Sequence, residues 1–272
     1  MNLTKRLLIV FIVLIVIIVQ LTTGNIPLSL FTFPINVAFL LLLIGTTYVL
    51  YREAKHTKVV KTFMSSATSV VLIALTFVCS LVIAFAPTLQ FQQSWIFNAI
   101  QLLLLANLQM VILRYKGAFR KRFYLTHIGL YLFIVGLAFG APDTHKSRAV
   151  MYEGQTIDRA YDYQGHIRPI GFSLTLDKFE ITYYDNDVPR SFLAEITSRS
   201  EHHLIKVNHP WTRSWKEDIY LVSHGVDKET NKPYCVLEFI VQPWKYIVYF
   251  GLVLTALGAF LLILGKNKHI KL

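Results

Sequence analysis

The sequence predicts an α-helical integral membrane protein with six transmembrane helices and a small β-rich extracytoplasmic domain inserted between the fifth and sixth. Three observations predict it. Hydrophobic residues make up 54% of the 272 residues and charged residues only 16%, against about 25% in a soluble domain. The mean hydropathy is +0.48. The charges are also segregated, with Glu53 the only acidic residue outside the stretch from Asp143 to Glu238.

A spanning helix needs about 20 predominantly apolar residues. The first candidate is Leu7 to Leu21, the second Phe31 to Leu50 and the third Val70 to Ala86. The fourth is Trp95 to Leu113, the fifth Phe123 to Gly140 and the sixth Tyr246 to Gly265. The first is read as an uncleaved anchor, because its apolar run is long and no small-x-small cleavage site follows it. Five spans thus occupy residues 1–140, the outer domain residues 141–244, and the last span with a basic tail residues 245–272.

Basic residues test this count. Lys5 and Arg6 precede the first span, and Arg52, Lys55, Lys58 and Lys61 follow the second. Arg114, Lys116, Arg120, Lys121 and Arg122 follow the fourth, and Lys266, Lys268 and Lys271 form the tail. Six crossings place all four groups on one side, the cytoplasm by the positive-inside rule. The expected location is a cytoplasmic (inner) membrane, with both termini inside and the β-domain outside. The net charge of +11 is then a topology signal, and a nucleic-acid partner is not expected. Cys79 and Cys235 form no Cys-x-x-Cys, which argues against thioredoxin-like chemistry, covalent haem attachment to this chain and a zinc ribbon.

The outer segment reads as strands. Phe172 to Tyr184 alternates apolar and polar residues, and SFLAEIT, HLIKV, DIYLVS and YCVLEFIV repeat the theme. Turn residues separate them at Asp185 to Asp187, Asn208 to Pro210 and Asp227 to Pro233. Short strands so punctuated suggest a β-sandwich or small barrel. No phosphate loop, serine elbow, zincin motif or EF-hand is present. His202 and His203 are adjacent on a strand, point to opposite faces and make a poor chelate.

Ionisable residues within a span are costly and are functional candidates by default. His127, in FYLTHIGLYLFIVGL, is the one such residue here. It sits about 7 Å past Arg122 along the helix, in the cytoplasmic leaflet of the expected topology. Phe123, Tyr124 and Tyr131 fall within about 60° of its direction, and Gly129, Gly136 and Gly140 share the opposite face. The glycines suit close approach of another helix. Neutral imidazole suits haem iron, and aromatic rings suit a porphyrin plane. An interfacial histidine bonded to a neighbouring helix is the plainer alternative. Met64 and Met110 are weak candidates for a second ligand, so that ligand is expected from another chain. In the fourth span Asn98, Gln101 and Gln109 form a polar stripe and Asn107 points away from it, so each side needs partners within the membrane. Gly251, Gly258 and Gly265 recur at heptad spacing in the sixth span.

Two stretches carry a resemblance. FYLTHIGLYLFIVGLAFG runs directly into the strand-rich segment. NHPWTRSWKEDIYLVSHG is followed by YCVLEFIVQPWKYIVYFGLVLTALGAFLLIL. Together they resemble the ResB/CcsB family of system II cytochrome c biogenesis, over roughly residues 60–265. The resemblance implies a membrane subunit that, with a CcsA-type partner, moves haem b across the membrane and presents it for covalent attachment to apocytochrome c. It implies that His127 is an axial haem ligand, with Tyr124 and Tyr131 as aromatic neighbours. It also implies an accessory role in a haem lyase, since the tryptophan-rich motif of the partner is absent. Members commonly have four spans and a larger outer domain, so the extra spans depart from the pattern. A membrane-anchored scaffold or sensor, its β-domain binding a protein or small ligand, is the alternative function.

Overall fold

A computed structural model describes residues 18–117, 120–186 and 188–265. Most of the expected first span, and the basic tail, lie outside the described residues. The chain divides into a helical unit, Met1–Pro142 with Trp244–Leu272, and a sheet unit, Asp143–Pro243.

The helical unit contains α1 (Ile35–Ala54), a short α2 (Lys58–Phe63), α3 (Ser66–Phe85), α4 (Trp95–Arg114), α5 (Arg120–Gly140) and α6 (Lys245–Gly265). Four of them are long and apolar enough to cross a membrane: α1, α3, α4 and α5, the last extended to Asp143. The protein is accordingly a membrane protein. Hydroxyl caps set several starts. Thr57 accepts from the Val60 amide, Ser65 from Thr68 and Ser94 from Phe97, each satisfying a donor that the first helical turn leaves free. The Ser65 cap explains why α3 begins at Ser66 rather than at Val70. The outward faces of α1 and α3 are apolar, with Leu41, Leu42, Val70, Val71 and Phe77 exposed. Such a surface suits lipid.

The amides of α4 are packing groups that serve two sides. Asn107 is 1% exposed; it donates to the Phe63 carbonyl at 2.5 Å and accepts from Ser69 Oγ at 2.8 Å. Gln109 instead donates to the Ile44 carbonyl of α1 at 2.9 Å and accepts from Tyr131 of α5 at 3.4 Å. Asn98 bonds only locally, to the carbonyls of Gln92 and Ser94. The opposed directions follow from the helical angle between positions 107 and 109.

Helices α5 and α6 meet on their glycines. A Cβ on Gly129 would lie 2.5 Å from the Thr255 nitrogen, and one on Gly251 2.5 Å from the Phe133 nitrogen. One on Gly258 would lie 2.6 Å from the Thr126 nitrogen. Backbone therefore packs on backbone at all three positions, as small residues permit in membrane helices.

The sheet unit is one antiparallel sheet of eight strands, ordered β5-β4-β3-β2-β1-β8-β7-β6. The strands are β1 (His145–Tyr152), β2 (Thr156–Tyr161), β3 (Ile167–Tyr183), β4 (Pro189–Ser198), β5 (Glu201–Lys206), β6 (Trp211–Ser214), β7 (Glu217–Val226) and β8 (Pro233–Val241). All eight join one sheet, so the sandwich alternative gives way to a curled, nearly closed barrel. Its two ends approach through rings: His203 of the end strand β5 stacks on Trp211 of the end strand β6 at 3.9 Å, and next to them Phe192 of β4 meets His224 of β7 at 4.1 Å. Inward residues alternate along β3 (Ile170, Phe172, Leu174, Leu176) and join Met151, Ile196, Ile205, Ile219 and Leu237 in one core.

On this unit Arg148 Nε bonds Glu238 at 2.8 Å, and the Tyr163 hydroxyl donates to the same carboxylate at 2.5 Å. Burial works to raise the Glu238 pKa, but the Tyr163 and Arg148 bonds outweigh it and hold the carboxyl below its ordinary 4.5. A depressed folded-state value means that the stabilisation is complete above about 4.5 and is lost as pH falls through the folded value.

Two outcomes follow. Gly129→Leu forces α5 from α6 and lowers the thermal midpoint of the detergent-purified chain, at a cost of about 1–3 kcal/mol. Gly45→Leu, where no atom lies within 4 Å of the added Cβ, leaves it nearly unchanged. Glu238→Gln flattens the acid limb of the sheet unit's stability, read as thermal midpoint against pH from 3 to 7 by near-ultraviolet dichroism.

Candidate functional site

His127 sits two turns into α5, half-buried. Its Nδ1 lies 2.9 Å from the carbonyl oxygen of Phe123, one turn back. A carbonyl only accepts, so in the neutral ring Nδ1 carries the proton and Nε2 keeps its lone pair. Among the described residues Nε2 has no hydrogen-bond partner. The ring also stacks on Phe123, with centroids 3.8 Å apart and planes 22° apart. A histidine held this way, with one nitrogen on a backbone acceptor, has the other nitrogen open to a hydrogen-bond donor or a metal.

The two tyrosines beside it are less alike than their spacing suggests. Tyr124 turns its hydroxyl to the Tyr115 carbonyl at 3.1 Å, in the connection after α4. Tyr131 turns its hydroxyl to Gln109 of α4 at 3.4 Å. Both hydroxyls are thus engaged in holding α5 to α4 and its connection, and neither ring stacks on His127 among the described residues. Phe123 is the aromatic contact of the imidazole. Gly129 and Gly136 face α6, so His127 lies on the side of α5 away from that contact.

The sulfur candidates are core residues. Met64 and Met110 are 4% and 3% exposed and pack with Val60 in one cluster. Neither reaches His127, so the structure brings no second ligand to it from the described residues. Cys235 is buried in the sheet core, where desolvation pushes its thiol up to about 12. It stays protonated and unreactive at neutral pH.

The outer histidines divide as the strand period requires. His202 points outward, its Nδ1 2.7 Å from Thr197 Oγ1. His203 points inward onto Trp211. Among the described residues no group of three His, Cys, Asp or Glu side chains is disposed to hold a metal ion.

The helices and the sheet define a class: a membrane protein with one histidine set inside an apolar helix, followed along the chain by a curled antiparallel sheet. Residues 109–238, from the end of α4 through α5 into β8, match the model of the ResB-like family, and over that stretch the chain is similar to it. No curated protein matches the chain.

The tautomer is directly measurable. In ¹⁵N-histidine-labelled protein, the pair of ring signals lost on His127→Gln is expected to show a protonated Nδ1 and an unprotonated Nε2 at neutral pH. The reverse pattern would remove the Phe123 carbonyl as the controlling partner.

Proposed function

We propose that this chain is the ResB-type subunit of a cytochrome c haem-delivery complex in a bacterial cytoplasmic membrane. The observation that carries the proposal is the His127 ring, held at Nδ1 by the Phe123 carbonyl with Nε2 left free. Haem iron takes an imidazole nitrogen as axial ligand. Haem b is the cargo. His127 holds it from one side, and a CcsA-type partner supplies the opposite ligand. Two features support the shared arrangement: the described helices bring no second histidine to His127, and both candidate methionines are packed in a core.

The positive-inside charge pattern supports an orientation with both termini cytoplasmic and the sheet unit outside. In that orientation His127 lies in the inner leaflet, where haem arriving from the cytoplasm is captured. The sheet unit then faces the compartment in which apocytochrome c receives haem. Thioether formation belongs to the partner, because this chain lacks a clustered tryptophan motif; its four tryptophans are Trp95, Trp211, Trp215 and Trp244. Its own part is to bind, to orient and to exclude water around the ligand nitrogen.

In a strain whose only copy carries His127→Ala, c-type cytochromes in haem-stained membrane gels fall by about an order of magnitude or more, at wild-type levels of this chain. Exogenous imidazole restores part of the loss. Unchanged cytochromes would instead favour a scaffold whose work is done by the sheet unit.

A further inference from the structure

The connection between α4 and α5 reaches back onto the candidate ligand. Tyr115 is the C-cap residue of α4, its amide bonded to the Ile112 carbonyl. Its ring lies flat on Phe123, with centroids 3.6 Å apart and planes 7° apart. Phe123 in turn lies on His127 at 3.8 Å. Three rings thus form one continuous stack, Tyr115 on Phe123 on His127. The stack is tied at its outer end by the Tyr124 hydroxyl, which donates to the Tyr115 carbonyl. The Tyr124 ring also meets Tyr115 edge-on, at 6.0 Å and 87°. Gly117 leaves the Tyr115 ring its space: a Cβ there would lie 2.6 Å from Tyr115 Cζ, so a side chain at 117 displaces the ring.

We infer that Tyr115 is a positioning residue for His127, clamping Phe123 so that the imidazole plane, and with it the direction of the Nε2 lone pair, is fixed before a haem iron arrives. This rests on the reading of His127 as a haem ligand. The physical argument is that a single hydrogen bond at Nδ1 restrains the ring at one atom and leaves the tilt of its plane soft. Face-to-face contact with Phe123 removes that tilt, but only if Phe123 is itself held, and Tyr115 covers its face. A ligand whose direction is set in advance loses less rotational freedom on binding. The connection after a helix end is an unusual place for this part, since loops are the mobile elements of a fold. Here Tyr115 itself is anchored three times: by its capping amide, by Tyr124 and by the stack.

The test is titration of the detergent-purified full chain with haemin, followed in the Soret band. Wild type and Tyr115→Phe, which keeps the stacked ring, are expected to bind equally and to give the same spectrum. Tyr115→Ala and Gly117→Val are expected to bind about three- to tenfold more weakly, the range for losing one aromatic pair, and to give a broadened or shifted Soret band. Gly117→Val keeps the tyrosine in the chain but pushes its ring off Phe123, and it decides the matter should Tyr115→Ala fail to fold, as judged by gel-filtration profile. Should both bind as wild type while His127→Ala loses haemin, the clamp is refuted and the His127 reading stands. Equal weakening by Tyr115→Phe and Tyr115→Ala would also refute it, by assigning the effect to the hydroxyl. Should His127→Ala itself bind as wild type, the underlying reading falls and the clamp with it.

Discussion

The contact on which the helical unit depends is the backbone-to-backbone approach of α5 and α6. Three glycines, Gly129, Gly251 and Gly258, let main-chain atoms of one helix lie where side chains of the other would stand. In a membrane, where lipid is as apolar as leucine, helices associate through such close van der Waals contact rather than by hiding apolar surface from water. That contact fixes the rotation of α5 about its own axis. Once the glycine face is committed to α6, the face bearing Phe123, Tyr124, His127 and Tyr131 is committed to other neighbours. The rotational setting of the candidate ligand is thus a consequence of where glycine, not histidine, was placed.

Polar groups then refine the setting. Tyr131 reaches Gln109 and Gln109 reaches the Ile44 carbonyl, so α5, α4 and α1 are linked by one chain of hydrogen bonds. Asn107 performs the same service toward Phe63 and Ser69. In hydrocarbon an unpaired amide is costly, and pairing each one specifies which helix stands where. Bulk apolar packing does not discriminate so sharply. The amides of α4 are therefore architectural, and the imidazole of His127 stands apart from them with one nitrogen unbonded among the described residues.

Much of this was legible in the sequence because it depends on period. The glycine faces of α5 and α6, the split between Asn107 and Gln109, and the alternating strands β3, β4, β5, β7 and β8 all follow from 3.6- and 2-residue repeats. Strands β1, β2 and β6 carry no clear alternation: exposed, charged residues (Lys146, Arg148, Asp158, Arg159) mask it in the first two, and β6 has only four residues. Sheet closure was open between sandwich and barrel because it depends on distant pairs, His203 with Trp211 and Phe192 with His224. Tyr124 and Tyr131 share the helix face of His127 by period, but their partners are not a matter of period, because hydroxyls seek acceptors on other elements. Tyr115 carried no periodic signal at all, lying past the helix end. Its aromatic ring close before a Phe-Tyr pair was the one available sign.

The central claim is that His127 Nε2 is an axial haem ligand. Its most direct test is the visible spectrum and pyridine haemochrome content of this chain co-purified with the proposed CcsA-type subunit, wild type against His127→Ala at equal protein. The account predicts that haem is retained by the wild type, lost from the variant and regained by the variant on addition of imidazole. Equal haem in both proteins, with identical Soret maxima, would contradict it.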